Sequence, residues 1–407
     1  MFQLSHISVK TDPKLLESCQ ASFKALLANP KLGFIHIPER RNLWQQCQTL
    51  ADSWKKEVQH FVVLGIGGSS LGPQVITEAL HKKNFTFVDN VDPIQFYHQL
   101  ENLPEWNKIG WIVTSKSGTT METLCALEMA LQYGREKLGV TGFHRCVVIS
   151  ENTDNPLAIW ARQNDFDRLE IPLDVGGRYS VLSPVGMFPA ALSEADLERF
   201  RHGAEAALKN QQLVTELAAQ TIMSFNREEW ITVFWLYSAR ALNMGRWIQQ
   251  LWAESLAKKI NRSGQKAARV STPIMAIGTT DQHSVLQQMM EGAADKFYRF
   301  FRFLDSENDR KNLQKAQVDS MKWLVGHSMG SLLRAEASAT QKALEEEGRH
   351  TLTLEIRTLD ESNLGYFFMM TELVVAVIAE QMNIDAFNQP GVELGKSLAR
   401  KQFVSPS

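Results

Sequence analysis

Phe61-Val-Val-Leu-Gly-Ile-Gly-Gly-Ser-Ser-Leu-Gly-Pro73 passes from a short apolar run into a glycine and serine loop, and then into a helical stretch that reaches residue 80. Strand, tight loop and helix in that order form the repeating unit of a doubly wound α/β sheet. The unit returns at Gly110-Trp-Ile-Val-Thr114, which runs into the loop Ser115-Lys-Ser-Gly-Thr-Thr120 and a helix over 121–133, and again at the strand Cys146-Val-Val-Ile-Ser150. Such alternation implies a parallel sheet with right-handed crossovers. Toward the N-terminus, residues 12–27 carry apolar side chains at helical spacing, with Asp12 placed as an N-cap and Pro13 in the first turn. Toward the C-terminus a helix is expected over 194–208. Alternation resumes with a strand at 231–236 and a helix at 239–259. Strand-like runs at 273–277, 297–304 and 351–356 then alternate with helices starting at Gln282, Asn312 and Asp360. The expected organisation is a helical extension over 1–45, a first domain over 46–210, a second over 211–385 and a C-terminal helix over 386–407. Each domain would be a doubly wound parallel sheet in a three-layer αβα sandwich. No short repeat and no low-complexity linker appears, so the halves are expected to pack closely.

The 407 residues exceed the size at which one core stops growing, so two cores are expected. With 44% hydrophobic and 22% charged residues the composition is that of a folded globular chain. Lys and Arg number 43 against 45 Asp and Glu, so no overall field draws in nucleic acid or an anionic membrane, and any anion site must be local. Cys19, Cys47, Cys125 and Cys146 form no CxxC pair and no zinc or disulfide pattern, which suits a reducing compartment. The first residues lack the charged and apolar regions of a signal peptide, and the apolar runs read as too short to span a bilayer. The expected address is the cytoplasm.

In open α/β sheets ligands sit beyond the carboxyl ends of the strands, where glycine admits the backbone and helix N-termini offer free N–H groups. The 65–73 loop places Gly68 and Ser69 there. The 115–120 loop places Ser115, Lys116, Ser117, Gly118 and Thr120 there, four hydroxyls in all with Thr119, and hydroxyls with amides can saturate a phosphate. A Ser/Thr/Gly loop can equally be a helix cap, but two of them in one sheet favour a sugar phosphate. The 65–73 loop lacks the spacing of a Walker A motif. It also departs from GxGxxG, because position 70 is serine.

At two further segments the chain resembles the phosphoglucose isomerase family, in its compact bacterial type. These are Asp174-Val-Gly-Gly-Arg-Tyr-Ser-Val-Leu-Ser-Pro-Val-Gly186 and Phe387-Asn-Gln-Pro-Gly-Val-Glu-Leu-Gly-Lys396. Both phosphate-side loops are similar to that family's, and Trp252-Ala-Glu-Ser255 and Asp281-Gln-His-Ser284 resemble its catalytic stretches. After Glu254-Ser255 the family continues with glycine and lysine, whereas this chain has Leu256-Ala-Lys-Lys259.

The resemblance implies two sugar-isomerase (SIS) domains, the phosphate loops in the first and the active site completed by the C-terminal helix. It implies reversible isomerisation of glucose 6-phosphate and fructose 6-phosphate, through ring opening and a cis-enediolate. Glu254 would be the base; by spacing alone it reads as a solvated helix face. His283 and Lys396 would open the ring, although a lone histidine is more often structural and such a lysine is ordinarily a surface charge. Arg178, after Gly176 and Gly177, would face the enediolate oxygens. Gln250, one turn before Glu254, would hold a sugar hydroxyl, and Gln389 would reach the phosphate end or orient Lys396. No metal or cofactor is implied, and no His/Asp/Glu cluster at metal-ligand spacing is seen. A homodimer is implied in which the His283 loop enters the partner's site. Two alternatives are a dual phosphoglucose/phosphomannose isomerase, which generally lacks the intact 389–396 ending, and a non-catalytic sugar-phosphate regulator, which needs none of Glu254, His283 or Lys396.

Overall fold

The computed structural model describes residues 2–304 and 311–404; residues 1, 305–310 and 405–407 of the expected segments lie outside the described residues. Ten strands form among the described residues. In chain order they are β1 (Gln3–Ile7), β2 (His60–Leu64), β3 (Phe85–Val88), β4 (Ile109–Thr114), β5 (Arg145–Glu151), β6 (Asp167–Ile171), β7 (Ile231–Tyr237), β8 (Thr272–Ile277), β9 (Lys296–Phe303) and β10 (His350–Ile356).

The first sheet has the order β3-β2-β4-β5-β6 and is parallel throughout. The order reverses between β2 and β4, so the loops after those two strands flank the switch point, where doubly wound sheets bind ligands. These are the 65–73 and 115–120 loops. The second sheet has the order β1-β10-β9-β7-β8. Strands β7 to β10 repeat the parallel winding, but β1 pairs antiparallel with β10 and closes the edge. The second sheet is therefore mixed rather than purely parallel, and the segment expected as a helical extension over 1–45 opens with a strand. Five residues, exposed or half-buried with none fully buried, give a periodic signal too short to read.

Strand period two divides the core. Phe61, Val63, Ile112, Val147 and Ile149 point inward from the first sheet, and Phe234, Leu236, Phe297 and Phe301 from the second, into one continuous cluster. The opposite faces build separate outer clusters, around Trp111 and Val148 in the first half and around Trp235 and Phe300 in the second. Two closely packed cores were expected; the helices between the sheets join the inner faces into one, which explains why no linker separates the halves.

Central among them is the helix Glu361–Gln381, capped by Asp360. Its length and composition match a membrane span, against the expectation that every apolar run is too short, but an 18-residue stretch of it is 94% buried inside the fold. Such a helix serves as the core of a layered protein. It packs on the helix Leu197–Lys209 at close range. A Cβ placed on Gly203 would lie 1.9 Å from the Ser362 carbonyl oxygen, and one on Gly365 would lie 2.1 Å from that of Phe200.

Two expected helix starts move. The helix expected from Asn312 begins at Met329, where the Ser328 side chain accepts from Ser331 N at 3.1 Å; upstream, Leu313 exchanges backbone bonds with Gly326 and His327 instead. The helix expected from Gln282 is a 3₁₀ turn, Thr280–His283, followed by Leu286–Glu291. The Asp281 carboxylate accepts from Ile277 N at 2.7 Å and from Ser284 Oγ at 2.9 Å, which tightens the chain there.

Alanine in a helix interior normally stabilises relative to glycine by roughly 0.5–1 kcal/mol. At Gly203 it should instead destabilise by about 1–3 kcal/mol, because the obstruction is backbone and the helices must part. Urea unfolding of Gly203→Ala measures this, and a rise in stability would refute the close approach.

Candidate active site

At the switch point the 65–73 loop turns through the 3₁₀ segment Gly67–Ser69 into the helix Leu71–Ala79. A Cβ on Gly68 would lie 2.4 Å from the Gly177 carbonyl oxygen, so only glycine lets this loop lie against the 174–180 turn. Ser69 is half-buried in the same turn. In the neighbouring loop Ser115 is buried and shares a 2.8 Å hydrogen bond with the Thr120 hydroxyl, closing the loop. Lys116 turns to Glu151 at 3.2 Å. Gly118 supplies a positive φ of 65° between Ser117 and Thr119, whose hydroxyls lie 2.9 Å apart.

Arg178 is 5% exposed at the foot of the 174–180 turn. Its guanidinium is satisfied from two directions. Nε donates to Ser255 Oγ at 2.8 Å. Nη1 donates to Gln389 Oε1 at 3.0 Å and lies 3.5 Å from the Glu254 carboxylate. Nη2 donates to the carbonyls of Ala386 and, at 3.0 Å, Asn388. A charge so far removed from water persists only with this many acceptors. Tyr179 supports the arrangement from behind, its hydroxyl 3.1 Å from Ser255 Oγ; burial pushes that phenol well above its ordinary value, so it stays a neutral donor.

Glu254 occupies the last turn of the helix Leu242–Leu256. The stripe Met244, Trp247, Ile248, Leu251, Trp252 and Ser255 faces the core, which leaves Gln250 and Glu254, one turn apart, on the edge toward the first sheet. Gln250 Nε2 donates to Glu254 Oε1 at 3.3 Å, while Gln250 Oε1 is buried without a partner among the described residues.

A cavity of about 710 Å³ opens between the second loop and the C-terminal helix Glu393–Val404. Ser117, Thr119, Thr120, Gln389, Lys396 and Arg400 are among its lining residues. Hydroxyls with three cations, Lys396, Arg400 and Lys401, against the carboxylates of Glu122 and Glu393 suit an anionic group, and Gln389 links this cavity directly to Arg178. Lys396 is exposed and paired with Glu393 at 3.0 Å. His283 stands apart. It is exposed on its 3₁₀ turn, and no hydrogen bond or ion pair joins it to Arg178, Glu254 or either loop among the described residues. Of the residues expected from sequence, the fold thus brings together Arg178, Gly177, Glu254, Gln250, Gln389 and Gly68, gathers Ser117, Thr120 and Lys396 around the adjoining cavity, and leaves His283 outside. Ser115 and Lys116 serve the loop itself. Three contacts were missed: Ser255, Asn388 and Lys258. Ser255 and Asn388 sit beside residues that were singled out, so reading the neighbours as acceptors for a buried arginine would have found them; Lys258, four residues after Glu254, is itself a donor, to the carbonyls of Glu254 and Asn388, and gave no such signal.

Two doubly wound sheets with a hydroxyl-rich switch-point cavity and a carboxylate facing a buried guanidinium define a protein of the sugar-isomerase (SIS) fold. The sequence profile of phosphoglucose isomerase matches residues 42–406. The chain is 32% identical over 402 residues to glucose-6-phosphate isomerase of Thermus thermophilus, covering 96% of this chain and 94% of that one. A solved structure from Thermus thermophilus, described as a hypothetical protein, shares 31% identity and a TM-score of 0.86 over 96% and 95% of the two chains. A glucose-6-phosphate isomerase structure from Chlamydia trachomatis has the same fold, with a TM-score of 0.82 at 20% identity over 99% and 88%. The chain belongs to the phosphoglucose isomerase family.

The 174–180 turn is anchored by Asp174, whose carboxylate receives both Arg40 terminal nitrogens, one at 2.8 Å. That hydrogen bonding, ahead of the charge itself, holds the Asp174 carboxyl below the ordinary aspartate value. A depressed folded value means stability that is present above the ordinary pKa of about 3.9 and lost as pH falls through the lower folded value. Removing the partner in Arg40→Ala should therefore cost about 1 kcal/mol near neutrality, with the difference closing below roughly pH 4. Urea midpoints of both proteins across that range test it; a gap independent of pH would show that the ion pair is not its source.

Proposed function

We propose that the chain interconverts glucose 6-phosphate and fructose 6-phosphate. The observation that carries this is the Glu254 carboxylate 3.5 Å from Arg178 Nη1, beside two hydroxyl-rich loops, in a chain of the phosphoglucose isomerase family. Ser117, Thr119 and Thr120 receive the phosphate. His283 and Lys396 move the protons that open the ring. Glu254 then takes the proton from C2 and returns it to C1, or the reverse, through a cis-enediolate. Negative charge builds on the enediolate oxygens as the proton leaves, and Arg178 offers its Nη1 to them. That fixed charge supplies what a divalent ion would in other aldose–ketose isomerases, so the scheme uses no metal and no cofactor. A carboxylate poised on a buried guanidinium favours chemistry over a regulator that only binds.

The site is proposed to be composite. His283 is exposed on its own chain and forms no hydrogen bond or ion pair with the site's other residues among those described, which supports a homodimer whose symmetric contact carries each His283 into the other subunit's cavity. Cytoplasmic residence is the proposed setting, supported by the four free cysteines, of which Cys19, Cys47 and Cys146 are buried.

The test of the reaction is purified protein with fructose 6-phosphate and a chelator, reading glucose 6-phosphate and mannose 6-phosphate separately. Glucose 6-phosphate should form at an undiminished rate with little mannose 6-phosphate. Failure on chelation with rescue by metal would remove the metal-free scheme, and comparable mannose 6-phosphate would make the enzyme a dual isomerase.

The composite site predicts complementation. Glu254→Gln should cut turnover by about two to four orders of magnitude, since an amide cannot accept the proton, and His283→Ala should also be inactive. In a mixed dimer both lesions fall in one site and the other is native. Refolded together at random, the two variants should regain up to about a quarter of native activity. Mixed dimers of the correct size that stay inactive would place His283 in its own chain's site.

A further inference from the structure

Two cations meet on one carbonyl oxygen. Asn388 O accepts from Arg178 Nη2 at 3.0 Å and from Lys258 Nζ at 2.7 Å. Lys258 Nζ also donates to the carbonyl of Glu254. The helix Leu242–Leu256 ends at this point: Ala257 turns extended at φ −74° and ψ 101°, and Lys258 folds back over the last turn. An ammonium there satisfies a carbonyl that the helix leaves open and sits at the negative end of its dipole. From the other side, Asp385 holds the same segment, accepting from Phe387 N at 2.9 Å and Asn388 Nδ2 at 2.6 Å. Residues 386–389 are thus clamped between Asp385 and Lys258, and they carry Gln389 and two of the acceptors on which Arg178 depends.

We propose that Lys258 is a positioning residue for the proton transfer: it ties the 386–389 segment to the end of the Glu254 helix and adds a second positive charge to the pocket in which Arg178 meets the enediolate. The role rests on the isomerase reading above. It differs from a surface lysine's role because the group is half-buried and both its hydrogen bonds go to carbonyls of site segments. It differs from a passive staple because the charge itself contributes. Burial first, and then repulsion from Arg178, lower the Lys258 pKa to about 8, partly countered by Asp385 and Glu254. Arg178 from the 174–180 turn, Glu254 from the helix and Asp385 from the C-terminal segment are the charged groups acting on it. A lysine with a lowered value is charged below it and neutral above it, so its contribution is present at neutral pH and lost as pH rises through about 8.

The experiment is kcat and kcat/KM for fructose 6-phosphate from pH 6 to 10 in wild type, Lys258→Arg and Lys258→Met, with thermal melting of each. Lys258→Met should lose at least about tenfold in kcat at pH 7 with KM changed by less than about threefold, because Lys258 lines neither phosphate loop. Lys258→Arg should recover most of that turnover and move the alkaline limb of kcat up by a unit or more, since a guanidinium stays charged. A methionine variant within twofold of wild type, or an arginine variant whose alkaline limb has not moved, overturns the proposal. Should Lys258→Met fail to fold, the limb in Lys258→Arg decides alone. An inactive wild type would overturn the isomerase reading and this role with it, whereas an active wild type indifferent to both substitutions would overturn this role only.

Discussion

A guanidinium that has surrendered its water must find acceptors, and Arg178 finds them on segments that lie far apart in the sequence. Ser255 lies on a helix of the second half, the carbonyls of Ala386 and Asn388 belong to the C-terminal segment, and the arginine itself hangs from the first half. An unpaired buried charge would cost several kcal/mol, so the three segments are assembled or lost together. The continuous core between the sheets follows from the same demand. Two halves with private cores could slide, and a slide of even one ångström would strand the charge.

The winding of the second sheet explains how a residue so far along the chain reaches the first sheet's switch point. A crossover helix runs back along its own sheet, so its last turn lies at the end away from that sheet's ligand-binding edge. The helix after β7 therefore presents Gln250 and Glu254 to its neighbour. One sheet supplies the anion loops, and the other supplies the carboxylate through the far end of a helix.

Much of this was legible in the chain. Central strands such as Phe61-Val-Val-Leu64 are buried on both faces and read as apolar runs, and the glycine-rich loops after them announce the switch point. Two of the edge strands escaped for the opposite reason. Asp167–Ile171 and Gln3–Ile7 must show polar side chains to water, and so resemble the loops around them. At the site, motif resemblance picked out Glu254 and Arg178, but no periodicity reveals that a buried arginine needs Ser255 and Asn388 to survive. Nor could spacing show that Ser115 would spend its hydroxyl on Thr120 or Lys116 its charge on Glu151, since those outcomes depend on which neighbour lies closest once the loop has closed.

The strand β1 leaves a mark on biosynthesis. The Ser5 hydroxyl donates to the Thr353 carbonyl, 348 residues away. At ribosomal rates of about 5–20 residues per second, a nascent β1 would wait on the order of 20–70 s for β10 to emerge. Throughout that time the strand is an orphan, and pairing with a wrong strand is an error open to it. Its brevity and its Ser5 and His6 side chains limit that hazard. The first sheet, whose five strands all lie within residues 60–171, can meanwhile close on its own, so the anion loops are finished long before the helix that will bring them a carboxylate.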